Sequence, residues 1–357
     1  MAHKRYKVGV IGTAWAAQSP LPTFASYPAV ELYAICSARL ERAREAAERF
    51  GAPLFFDDYR TMVQLPELDI VYIAAPVYLH HPMTLAAAAA GKHVLCEKPA
   101  AVNVREAKEM LAACQQAGVA HAMAFTMRYF PHTLYIQRLV AEGFLGELRH
   151  VAIQQWAGFP AGGPLRPWTW LNDASLGGGY LGAIGSHYID LVRAWFGEWE
   201  SATGLLRTWQ TDYLASDGSI KPATAEDTFV VLGTLANGAL VTIQWLFGCR
   251  AATGQRIELY GSNGSIVVDQ ELQVHLAGPQ DRALQPVTVP EPDFPEPVAR
   301  AAVPRFAQIV ANLIDAIESG EPRHPNLEDG LRCQEVMDAV RRASAAGLPK
   351  IREAAPA

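Results

Sequence analysis

The feature that most constrains this chain is an alternation near its start. Short apolar runs recur at Tyr6–Ile11, Val30–Cys36, 69–74, His93–Cys96 and 119–125. Between several of them lie helix-like stretches, ERAREAAERFG, TLAAAAAGK and NVREAKEMLAACQQAG, the last opening on Asn103 and closing on Gly118. Strands separated by helices at this spacing predict a parallel, doubly wound sheet. After about residue 125 the texture changes. VAIQQWAG, TFVVLGTLANGALVTIQWLFG and RIELYGSNGSIVVD read as strands joined by tight turns at Asn237-Gly238 and Asn263-Gly264. Helices are expected at 187–196 and 305–319, and a loop or arm over the proline-rich 286–298. The expected organisation is a doubly wound domain over 1–124 and a second α/β domain over 125–357 with a large, mostly antiparallel open sheet. The final residues, 351–357, are expected to be frayed.

The first strand runs directly into GTAWAA. A strand, a tight glycine turn and a helix make the dinucleotide fingerprint, in which three small residues turn the chain, admit the pyrophosphate and let the helix pack. Here they are Gly12, Ala14 and Ala17, so only the first is glycine. Thr13, Ala14 and Trp15 are the turn positions expected to touch the cofactor, with Ala75 and Pro76 at the end of the third apolar run. An acid at the end of the second strand would bind an adenosine ribose. The chain reads ICSARLERA there, and Ser37 and Arg39 favour NADP over NAD.

LCEKPAA, residues 95–101, ends an apolar strand in an acid, a lysine and a proline. Proline fixes the backbone beside Lys98, and the strand's carboxyl end is where such sheets bind ligands. Lys98 is placed to polarise a substrate oxygen, with Glu97 balancing the local charge. Further on, GGGYLGAIGSHYID presents His187, an imidazole suited to accepting an alcohol proton near neutral pH.

Taken together, GVIGTA, AAPVYLHHPMTLAAAAAGKHVLCEKPA and GGGYLGAIGSHYIDLVRAWFG resemble the glucose-fructose oxidoreductase / inositol dehydrogenase / rhizopine catabolism family of NAD(P)-dependent oxidoreductases. IELYGSNGSI and EDGLRCQEVMDAVRRASAAG extend the resemblance across essentially the whole chain. It implies a Rossmann domain followed by an α/β domain whose open sheet makes a homodimer or homotetramer. It also implies catalytic roles for Lys98 and His187, a place for Arg128 near the substrate or the interface, and one for His80 near the cofactor. Three positions depart from the family pattern. Ala14 replaces the middle glycine, Val77 follows Pro76 where many relatives carry asparagine, and Ala183 stands where many carry an aspartate four residues before the histidine. His187 must then work with Lys98 alone or with a substitute partner; Asp190, at i+3, Tyr180 and Ser186 are nearby in sequence, and Asp190 is read first as a structural residue behind the site. Trp168 and Trp170, in LRPWTWL, are candidates for the wall of a sugar pocket.

The expected function is hydride transfer between a nicotinamide cofactor, NADP or NAD, and a secondary hydroxyl or carbonyl of a sugar, cyclitol or polyol. The rivals are a redox-neutral NAD-dependent glycosidase and a non-catalytic sensor or scaffold on the same fold. No motif suggests a metal. A net charge of -6, with no dense basic block, argues against nucleic acid. The start of the chain lacks a secretory h-region and the apolar runs are too interrupted to span a bilayer. Five scattered cysteines without a C-x-x-C fit reduced thiols in the cytoplasm, and Cys96, beside the lysine motif, carries no sign of reactivity.

Overall fold

A computed structural model describes residues 4–158 and 165–348. Six strands form the first sheet: β1 (Tyr6–Ile11), β2 (Val30–Cys36), β3 (Leu54–Phe56), β4 (Ile70–Ile73), β5 (His93–Cys96) and β6 (His121–Met123). All neighbours are parallel, in the order β3-β2-β1-β4-β5-β6. The strand order therefore reverses between β1 and β4, which opens a crevice at their carboxyl ends. The bounds of β1, β2 and β5 match the apolar runs. β3 does not appear among those runs, because three residues are too few to show a period.

The crossovers are helices α1 (Pro20–Ser26), α2 (Leu40–Phe50), α3 (Tyr59–Val63), α4 (His80–Ala89) and α5 (Val104–Ala117). Pro20 and Pro22 fall in the first turn of α1, where a missing N–H costs nothing. Asn103 caps α5 by accepting from the Glu106 N–H at 3.0 Å.

The second sheet has eight strands: β7 (Leu148–Gly158), β8 (Trp199–Arg207), β11 (Thr228–Leu235), β12 (Leu240–Cys249), β13 (Gly254–Gly261), β14 (Ser265–Val268), β15 (Val274–Ala277) and β16 (Gln285–Val287). Strands β9 (Asp212–Leu214) and β10 (Ile220–Pro222) form a separate ribbon. Among the described residues of this sheet only β7 and β12 pair in parallel; the other neighbours are antiparallel. Residues alternate across the sheet. Val151, Ile153, Val231, Ile243, Ile257 and Leu259 point into a core shared with helices α6 (Pro131–Ala141), α7 (Ser186–Phe196) and α10 (Leu327–Ala346). The opposite face carries Leu232, Thr242, Gln244 and Glu258, which are half-buried or exposed.

The proline-rich stretch is not all loop: β16 pairs with β15 at its start and a short helix, α8 (Glu296–Ala299), closes it. Helix α9 (Pro304–Ser319) returns to the first sheet. Phe306 there meets Phe24 and Tyr72, each at 5.4 Å between centroids and edge-on. The first core is thus completed from the far end of the chain. Residues 351–357, expected to be frayed, lie outside the described residues. Among the described residues no helix is long and apolar enough to cross a membrane.

Candidate active site

A cavity of about 640 Å³ lies in the crevice between β1 and β4. Its walls come from three places: the turn after β1 (Gly12, Thr13, Ala14, Trp15), the ends of β4 and β5 (Ala75, Pro76, Glu97, Lys98), and the segment before α7 (Tyr180, Ala183, Ile184). One space therefore joins the glycine turn to the lysine motif and to the glycine run of the second domain.

The turn is built for close approach. Gly12 has φ +99°, and a Cβ there would stand 2.4 Å from the Ala74 carbonyl oxygen. No side chain fits between β1 and β4 at this level, so the backbone itself forms the cavity floor. Such a floor, at the switch point of a doubly wound sheet, fits a dinucleotide. The Trp15 indole N–H donates to Glu97 Oε1 at 3.0 Å, tying the turn to the lysine motif. Glu97 is buried and also accepts from the Tyr72 hydroxyl at 2.7 Å.

Ser37 lines the other end of the cavity with Ala38 and Arg42. Arg39 is not among the lining residues, because it precedes α2 as its N-cap. Arg42, three residues on, was not anticipated. The signal for it was the helix start just after Arg39, which carries the next arginine one turn along.

Lys98 is half-buried, and its Nζ donates to the Ala183 carbonyl oxygen at 2.9 Å. Burial lowers its pKa below the usual lysine value, while the Glu97 carboxylate pulls the other way. Ala183 sits in a π-helical turn, Leu181–Gly185, that runs straight into α7. Its side chain brings no acid to the site, and its backbone supplies the lysine's partner.

His187, one turn on, is buried and does not line the cavity. The Phe125 ring meets it edge-on at 6.0 Å, and its Nδ1 finds no hydrogen-bond partner among the described residues. Burial, with the nearby charge of Lys98, holds its pKa well below the ordinary histidine value.

Several expected residues serve other contacts. Asp190 does not turn to His187. It faces Arg128, whose Nε and Nη2 reach its two oxygens at 2.7 and 2.6 Å. Arg128 also pairs with Asp329 at 3.0 Å, and Arg193 joins the same carboxylate. Arg128 and Asp190 thereby tie the segment after β6 to α7 and α10, and neither lines the cavity. His80 is buried with its ring between two backbone carbonyls, Nδ1 3.0 Å from Pro99 and Nε2 2.8 Å from Ala75. It braces both rims of the cavity from behind, and burial lowers its pKa. Trp168 is not a lining residue; the Lys221 ammonium sits 3.3 Å from its ring centre. Trp170 and Leu171 line the cavity instead. Tyr180 lies stacked on Trp245 and Phe247, each with centroids 5.3 Å apart, and forms part of the wall. Among the described residues no group of three or more His, Cys, Asp or Glu is arranged to hold a metal ion.

Comparison with known proteins agrees with this geometry. Residues 6–125 match the model of an oxidoreductase family with an NAD-binding Rossmann fold, and residues 133–267 match the GFO/IDH/MocA C-terminal domain. An uncharacterized oxidoreductase of Synechocystis sp. is 30% identical over 347 residues, covering 94% of this chain and 93% of its own. Levoglucosan dehydrogenase of Pseudarthrobacter phenanthrenivorans is 32% identical over 271 residues, 69% of this chain and 68% of its own. A solved levoglucosan dehydrogenase in complex with NADH and levoglucosan superposes with a TM-score of 0.85 at 25% identity, over 96% of this chain and 98% of that one. With both halves matched and the cavity at the junction of turn, lysine motif and glycine run, the chain belongs to the Gfo/Idh/MocA family of NAD(P)-dependent oxidoreductases.

Proposed function

We propose that this enzyme oxidises a secondary hydroxyl of a sugar, cyclitol or related polyol, or reduces the matching ketone. The observation that carries the reading is that Lys98 lines the same cavity as the Gly12 turn. When bound, a nicotinamide dinucleotide supplies the hydride chemistry. The residues must then align the substrate and move one proton. As the C–H hydride leaves, the hydroxyl proton passes to the neutral Lys98 amine, and the ammonium returns it in the reverse direction. Burial lowers the Lys98 pKa, which favours the neutral form relative to an exposed lysine. His187 is buried, held neutral and outside the cavity lining, so it packs beside Lys98 and is not the store of the proton. Tyr180, Trp170 and Leu171 give the substrate end an apolar wall suited to the C–H face of a sugar ring.

NADP is the proposed preferred form. Ser37 and Arg42 line the cavity at the end of β2, while the nearby acids Asp57 and Asp58 are not among its lining residues. The solved relative carries NADH, so Arg42→Glu is the informative variant: it should weaken NADPH far more than NADH. We also place a second copy of the chain on the open face of the large sheet, where Leu232 and Leu240 are exposed. The cytoplasm is the proposed compartment, and all five cysteines are free thiols.

The test is a panel of sugars, anhydrosugars, glycosides and cyclitols incubated with NADP or NAD. Reduced nicotinamide should accumulate with at least one of them, and form ~10²–10⁴-fold more slowly in Lys98→Ala. Glycoside cleavage without reduced nicotinamide would overturn the net-oxidation reading.

A further inference from the structure

The glycine run before His187 closes around a buried acid that the mechanism above does not use. Gly179 has φ +108°, and a Cβ there would lie 2.2 Å from Glu226 Oε1 and 2.4 Å from Oε2. The Glu226 carboxylate therefore occupies the space that a side chain at position 179 would fill. Glu226 comes from the loop before β11 and is only 9% exposed. Its Oε1 accepts from the Leu181 N–H at 3.0 Å, and its backbone carbonyl accepts from the Tyr180 N–H at 3.1 Å. The acid thus holds two consecutive amides at the start of the π-helical turn, just before Ala183. Ala183 is directly above Gly179, its N–H bonded to the Gly179 carbonyl at 3.1 Å.

The charged groups acting on Glu226 are Arg341, which favours the ionised form, and Asp227, which opposes it. Arg341, on α10, also donates to the Val102 carbonyl at 3.5 Å, just beyond the lysine motif. One cation therefore adjoins both sides of the Lys98–Ala183 contact.

We propose that Glu226 is a positioning residue for the proton-transfer site: ionised, it fixes the turn that presents the Ala183 carbonyl to Lys98 and the Tyr180 ring to the cavity. The position four residues before the histidine carries no acid, yet a carboxylate delivered from the loop before β11 sits one helical turn below it. Burial raises the Glu226 pKa, so the carboxylate is lost at a higher pH than an ordinary glutamate would be. This inference rests on the oxidoreductase reading of the cavity.

The test compares wild type with Glu226→Gln, which keeps an oxygen for the Leu181 N–H and removes the charge, and with Glu226→Asp, which keeps the charge on a shorter arm. Cofactor affinity is measured first by fluorescence titration with NADPH and NADH. Amide hydrogen exchange over 178–187 and the kcat–pH profile follow. In Glu226→Gln the proposal expects unchanged cofactor affinity, exchange over 178–187 faster by about tenfold, a kcat about tenfold lower and an acid limb set by Lys98 alone, without the step that Glu226 adds in wild type. Glu226→Asp should recover part of kcat. Wild-type exchange, kcat and pH profile in Glu226→Gln would overturn the proposal. If Glu226→Gln does not fold, the decision falls to wild-type exchange over 178–187 as pH is lowered with the rest of the fold intact: acceleration supports the proposal and no change overturns it. Failure of wild type to bind either cofactor would instead sink the oxidoreductase reading.

Discussion

The Lys98 ammonium and the Ala183 carbonyl oxygen are 2.9 Å apart across the junction of the two halves of the chain. The contact puts the lysine against a backbone oxygen, which carries no titratable charge. Lys98 thus has a neutral hydrogen-bond partner, and burial outweighs the pull of the Glu97 carboxylate toward the protonated form. Replacing it with alanine removes the proton-transfer group while leaving the Gly12 turn untouched. Lys98→Ala should lower kcat by ~10²–10⁴-fold with little change in cofactor affinity, measured by steady-state kinetics beside a fluorescence titration. Equal losses in both would mean that the lysine serves binding only.

Gly12→Ala tests the cofactor turn. The substitution forces a Cβ into the Ala74 carbonyl at a positive φ, a conformation that costs about 1–3 kcal/mol for a non-glycine residue before the clash is counted. The variant should melt at a lower temperature and bind neither NADPH nor NADH. Wild-type binding would remove this turn from the cofactor site.

His187 makes a prediction about pH. Its folded pKa lies below the unfolded value of about 6.5. The unfolded chain therefore takes up the proton first, and stability falls as pH drops below about 6.5, by up to ~1.4 kcal/mol per pH unit until the folded pKa is reached. His187→Gln lacks this contribution. Its melting temperature should fall less steeply than that of wild type between about pH 7 and pH 5. His80 is shifted in the same direction, so the difference between the two proteins is the readout. Parallel profiles would show that His187 is not buried as a neutral ring.

Asp329 is the hub of the buried charges. Burial alone would raise its carboxyl, but His324, Arg128 and the Asn326 N–H hold it well below the usual carboxylate range. Asp329→Asn leaves the Arg128 and Arg193 guanidinium groups with a neutral partner. The loss expected on breaking a buried pair is about 3–5 kcal/mol, readable in a urea unfolding curve. The wild-type contribution is present above the unfolded carboxyl value of ~3.9 and disappears as pH falls through the lower folded one. A loss within experimental error at neutral pH would show that the network does not brace α7.

Much of the first sheet was legible because a parallel strand buried on both faces is a continuous apolar run, as Ile70–Ile73 and 94–96 are. The same holds for the turn after Ile11 and for Lys98, whose place follows from being at a strand's carboxyl end. Partner choice across long separations was not legible. Arg128 and Asp190 are 62 residues apart in sequence, and Asp329 reaches them from α10. Spacing along α7 alone made Asp190 look like a neighbour for His187. Which arginine faces the cavity, Arg42 or Arg39, depends on where α2 begins to within a residue. Glu226 was not anticipated at all, because only the path of the glycine run shows what its missing side chains make room for.

The most direct test of the central claim, that one cavity unites the glycine turn with Lys98 around a nicotinamide cofactor, is a fluorescence titration of wild type, Gly12→Ala and Lys98→Ala with NADPH and NADH. The account predicts micromolar or tighter binding to wild type, NADPH ahead of NADH, retention in Lys98→Ala and loss in Gly12→Ala. No binding of either nucleotide by folded, nucleotide-free wild type would contradict it.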